Sequence, residues 1–86
     1  LTKVEYEQGQ MLVVTWLDAH NLECGWQDMK EVKFSKAEVQ TVGHFVAVAQ
    51  EQLWLAADWC EEDDMVNTVV GIPLGMVVTV REIDNG

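Results

Sequence analysis

Val69-Val70-Gly71-Ile72-Pro73-Leu74-Gly75-Met76-Val77-Val78-Thr79-Val80-Arg81-Glu82-Ile83 reads as two short strands joined by a tight Ile-Pro-x-Gly turn. Val and Ile dominate both arms, and β-branched side chains fit a pleated, half-buried surface better than a helix. Pro73 has no backbone N–H and a fixed φ, so it ends the first arm and starts the corner. Strand, one-turn corner, strand is how many small barrels close. The arms are placed at 67–72 and 76–83.

Working back from this stretch, Asp58-Trp59-Cys60-Glu61-Glu62-Asp63-Asp64 is an acidic loop. A solvated hairpin tip explains it better than a Ca²⁺ or Mg²⁺ site, because the alternating Asp-x-Asp-Gly spacing of a calcium loop is absent. Residues 36–57 admit two readings. Val39, Val42, Val46, Ala49 and Leu53 recur at helical spacing, and Ser35-x-x-Glu38 resembles a capping box. Against a helix, Thr41 to Val48 is rich in β-branched residues and is interrupted by Gly43. The favoured reading is a β-hairpin over 39–57 that turns near Glu51, with Gly43 marking a bulge or sharp bend. The alternative is an α+β fold with a helix at about 36–57.

Met11 to Leu17 is the first clear strand. It carries Leu12, Val14 and Trp16 on one face and Met11, Val13, Thr15 and Leu17 on the other. Two largely apolar faces imply burial on both sides and a central or interface strand. Trp16 and Trp54, inside strands, are expected in the core. Residues 22–38 form a short helix or irregular excursion, since Trp26, Met29 and Val32 recur near helical spacing; Val32-Lys33-Phe34 also fits a strand fragment. Residues 1–9 form a tail or edge element ending at Gly9. The whole is one domain, 1–86, and mainly β.

Apolar residues make up 49% of the 86 and charged residues 23%, which places the chain among globular proteins. A chain this short buries only about 60–65% of its unfolded surface. Four Trp, two Phe and one Tyr are hard to hide in so small a core, so self-association is expected. Fifteen Asp and Glu against five Lys and Arg give a net charge of -10. That balance disfavours nucleic-acid backbones and anionic membranes as partners. No signal-peptide pattern and no apolar run near the ~20 residues needed to span a bilayer are present, and a cytoplasmic location is expected.

Two cysteines, Cys24 and Cys60, make no disulfide framework and are expected as free, mostly buried thiols. His20, Cys24, His44 and Cys60 lack the paired spacing of a zinc site, so no metal and no cofactor are expected. There is no Gly-rich phosphate loop, Ser elbow or paired-carboxylate motif, and a non-enzymatic role follows. Trp26 and Trp59 flank loops, where an indole can anchor a partner or stack on a flat ligand. Met76, Val78 and Val80, on the last strand, are the candidate subunit interface.

The order of strand, excursion, hairpin, acidic loop, strand, Ile-Pro-x-Gly turn and strand resembles the five-stranded, strongly bent SH3-like and Sm-like barrels. Val14-Thr15-Trp16-Leu17-Asp18, Thr41-Val42-Gly43-His44-Phe45-Val46 and Gly71-Ile72-Pro73-Leu74-Gly75-Met76-Val77 also resemble small uncharacterised proteins of phages and mobile gene cassettes. The resemblance implies a self-associating barrel whose terminal strands pair across subunits. It does not carry over RNA binding: the final turn has no basic residue, and Arg81 lies inside the next strand. The expected function is a self-associating β-barrel binding module, a mobile-element accessory protein that binds a host protein. Two further readings are a small-molecule binder with a pocket built by Trp26, Trp59 and the excursion, and an acidic mimic of nucleic acid.

Overall fold

The computed structural model describes residues 5–18, 26–32 and 37–83. Five strands run through them: β1 (Met11–Asp18), β2 (Ala37–Ala49), β3 (Gln52–Cys60), β4 (Met65–Pro73) and β5 (Val77–Glu82). They form one antiparallel sheet in the order β4-β3-β2-β1-β5. No α-helix occurs among the described residues; 3-10 turns cover Met29–Glu31 and Leu74–Met76.

The helix reading of 36–57 is overturned. Val39 and Val42, three apart, fall on opposite faces of β2, with Val42 54% exposed, so the helical spacing marks no shared apolar face; β2 also contains a bulge. The β2–β3 register slips between Phe45 and Ala47, leaving Val46 as the extra residue. The bend therefore lies three residues beyond Gly43. Gly43 serves a different end: a Cβ there would stand 3.0 Å from the Ala56 carbonyl oxygen and 3.1 Å from the Leu55 Cβ. Glycine allows β3 to approach this closely.

β2 hands over between neighbours at this bend. Residues 37–44 pair with β1, and residues 44–49 pair with β3, so only His44 faces both. β1 lies between β2 and β5, and Leu12, Val13, Val14 and Thr15 are all buried, as its two apolar faces require. Leu12, Val14, Phe45, Leu53, Leu55 and Ile72 form the core, with Tyr6, Trp16, Leu74, Val77 and Val80 packed against it. Trp16 and Trp54 sit at the margin, not inside: both are half-buried. Their indole N–H groups donate outward, to Thr41 Oγ1 at 2.9 Å and to the Ala49 carbonyl at 2.9 Å. A buried indole needs a partner for its N–H; Ala49 is exposed, whereas the Trp16–Thr41 bond is partly buried.

The corner that opened the sequence reading joins opposite edges of the sheet. Four inter-strand steps of about 4.8 Å would hold the edges of a flat five-stranded sheet roughly 19 Å apart. A 3-10 turn advances only about 2 Å per residue, and Leu74–Met76 is all that separates β4 from β5. The sheet must therefore curl until its edges approach at this end. Among the described residues no ladder joins β4 to β5, so the sheet is curled but not closed.

The β2–β3 hairpin turns at Gln50 and Glu51, between the paired Ala49 and Gln52. Both have positive φ, 53° and 60°, the geometry of a type I′ turn. Neither residue suits it; a left-handed conformation costs a side chain about 1–2 kcal/mol. Replacing Gln50 with Asn and Glu51 with Gly together is expected to stabilise the fold by about 1–2 kcal/mol. Thermal melting should then rise by roughly 5–10 °C; an unchanged melting temperature would reject the turn assignment.

Candidate functional site

Three pieces of chain meet where β2 bends. The first is the turn at residues 7–10, in which Gln10 N–H donates to the Glu7 carbonyl at 3.0 Å. It is tied to the bend by Gly9 N–H donating to the Phe45 carbonyl at 2.8 Å and Phe45 N–H to the Gln10 carbonyl at 2.7 Å. Val46 is the unpaired residue of the bulge, and Gln8 Nε2 donates to its carbonyl at 3.1 Å. Tyr6 stands edge-on to Phe45 with ring centroids 5.8 Å apart. From residue 5 onward this segment leads into β1 and is tied to β2 at Phe45 and Val46; residues 1–4 lie outside the described residues.

The second piece is His44. Its Nδ1 lies 2.8 Å from the Gly9 carbonyl oxygen. A carbonyl can only accept, so Nδ1 carries the hydrogen; in the neutral ring Nε2 is then left as an acceptor. The third piece is the β3–β4 hairpin, whose outer half extends beyond β2. Its turn ends at Asp64, which has φ 57°. This brings the carboxylate back over the strand, where Trp59 Nε1 donates to Asp64 Oδ1 at 3.0 Å. The Trp59 ring lies 5.7 Å from the His44 ring, tilted by 54°. Its benzene edge rests on Gly9, where a Cβ would stand 2.3 Å from the Trp59 Cη2.

These three pieces border an open pocket of about 110 Å³, lined by His44, Phe45, Trp59 and Asp64 with Gln8 and Val66. A shallower cleft of about 350 Å³ lies along the Gly9–Met11 segment and also reaches Trp59. Of the two tryptophans singled out as binding residues, Trp59 lies here. Trp26 is fully exposed beside Met29, itself 88% exposed, and does not line the Trp59 cavity. Met29 opens the 3-10 turn Met29–Glu31, which is capped by Asp28, whose Oδ1 accepts from Lys30 N–H at 2.9 Å.

Sequence reasoning missed His44, Gly9 and Asp64 as a group. Gly9 and His44 are 35 positions apart, and their meeting depends on strand register. The one local signal was the five-residue spacing from Trp59 to Asp64 across a tight turn. Cys60 is free and exposed, contrary to the expectation of a buried thiol, because β3 has left the core by that point. His20 and Cys24 lie outside the described residues, as do Lys33, Phe34 and Ser35. Among the described residues no group of three or more His, Cys, Asp or Glu side chains is gathered as a metal site would need.

The free edges are the other candidate surface. Residues 65–70 of β4 are exposed throughout, including Met65, Val66, Val69 and Val70. On β5, Met76 just before the strand and Val78 within it are exposed, whereas Val80 packs against the core. The β1–β5 register slips after Thr15, leaving Val78 opposite no residue. No helix among the described residues is long and apolar enough to cross a membrane. Comparison with protein-family models, curated proteins and solved structures returned no match.

Proposed function

We propose that this chain is a non-enzymatic, self-associating binding module of the small SH3-like or Sm-like barrel type, with a second copy as its first partner. The observation that carries the reading is the β4 edge. Met65–Pro73 is nine residues long, has β3 on one side only, and contains no charged residue. Edge strands are normally guarded by lysine, proline or inward charges. Here Pro73 guards only the end next to the corner. The other edge, β5, belongs to the same sheet, so β4 of one copy can add to β5 of the next. Such a head-to-tail contact propagates into a ring or a filament. The mobile-element role and the host-protein partner rest on the sequence resemblance alone.

Charge opposes this assembly. Copies carrying -10 each repel, and the repulsion is screened as the Debye length falls from about 30 Å at 0.01 M to about 8 Å at 0.15 M salt. Light scattering across protein and salt concentration should show association that strengthens with salt. Lysine at exposed Val69 of β4 should return the chain to monomer while leaving its melting temperature within a few degrees. A strictly monomeric wild-type chain at high concentration and high salt would overturn the proposal.

A further inference from the structure

We propose that the Trp59 cavity is a binding site for a primary alkylammonium group. The size sets the scale of the ligand. At about 110 Å³ the cavity is smaller than the ~150 Å³ space that holds benzene, and far below the 300–1,000 Å³ of pockets that take whole cofactors or nucleotides. It fits an end group of a few heavy atoms.

The chemistry of the wall sets the kind of group. Trp59 has one N–H, and Asp64 Oδ1 takes it. His44 uses the hydrogen on Nδ1 for Gly9, which makes Nε2 an acceptor in the neutral ring. Gln8 commits its amide nitrogen to Val46, leaving its carbonyl oxygen without a partner among the described residues. Asp64 has a second carboxylate oxygen, and its one side-chain hydrogen bond among the described residues is the one from Trp59. Available acceptors thus outnumber available donors, which calls for a ligand rich in N–H.

Two further features select a cation over a neutral amide. Trp59 lines the space beside His44, and aromatic faces attract ammonium groups within about 6 Å of the ring centre. The chain's charge of -10 also raises the local concentration of cations. The group can belong to a free amine or to a lysine side chain of a bound peptide.

The test is an NMR titration of the folded chain at pH 8, following the Trp59 indole N–H and the His44 ring. Butylammonium is the first probe, with butanol and butyrate as neutral and anionic counterparts. A lysine-containing tripeptide and its Nζ-acetylated form are the second pair. Saturable shifts with butylammonium, with Kd on the order of 1 mM, and at least about tenfold weaker binding of butanol are expected. Asp64→Asn retains an acceptor for the Trp59 N–H but loses the charge, and should weaken butylammonium about tenfold with the melting temperature held. Binding of butylammonium alone assigns a free amine; binding of the lysine peptide as well assigns the side-chain group. The proposal is overturned if butylammonium and butanol bind alike, if the acetylated peptide matches the free one, if Asp64→Asn changes nothing, or if no probe shifts these signals.

Discussion

Leu55→Ala is expected to cost about 3–5 kcal/mol. Leu55 is 1% exposed and lies at the middle of β3, opposite Phe45 on one side and Val70 on the other. Its removal takes away the apolar surface that joins the two halves of the curled sheet. The surrounding strands relax only partly into such a void, so an unfilled cavity adds to the transfer cost. A domain of this length has a total stability of about 4–13 kcal/mol, which makes the loss a large share of the whole. Urea unfolding followed by circular dichroism would measure it. Val69→Ala, on an exposed stretch of β4, is the control and should shift stability by no more than about 0.5 kcal/mol. Equal effects at the two positions would place the core elsewhere.

Gly9→Ala is expected to cost about 2–3 kcal/mol, through two separable causes. Gly9 has φ 89°, a conformation that charges a side chain about 1–2 kcal/mol. Its new methyl group would also collide with Trp59, whose ring atoms lie 2.3–2.5 Å from the Cβ position. The collision pushes the indole off the segment and breaks its register with His44. A double-mutant cycle separates the terms. In a Trp59→Ala background the collision vanishes and Gly9→Ala should cost only the backbone share, about 1–2 kcal/mol. The wild-type background should show a fall in melting temperature of roughly 10–20 °C. Identical costs in both backgrounds would show that Trp59 does not rest on Gly9.

The places of the strands were legible because the apolar alternation is local. Met11 to Leu17, with apolar residues on both faces, indicated a central strand, and β1 does lie between β2 and β5. The polar triplet at Gln50-Glu51-Gln52 located the hairpin turn, although its left-handed residues are not the usual Asn-Gly pair. The bend was read at Gly43 because a glycine is visible in a sequence, whereas the extra residue at Val46 depends on which partner each side of β2 chooses. The same reason explains Trp16 and Trp54. A tryptophan in a strand signals burial, but the partner for its N–H decides whether it sits at the centre or the rim.

What the sequence by itself determined is the run of five strands, the Glu51 turn, the acidic tip and the Ile-Pro-x-Gly corner between Val69 and Ile83. Each of these follows from neighbours within a few residues: β-branched side chains, a proline without an N–H, clustered charge. What only the tertiary structure decided is that the corner joins opposite edges of the sheet, and that His44, Gly9, Trp59 and Asp64 share a cavity. Both depend on register between segments tens of residues apart, such as β1 with β5, and no local pattern encodes that. A one-residue slip between strands reverses every side chain, so the site exists only once the whole curled sheet has formed.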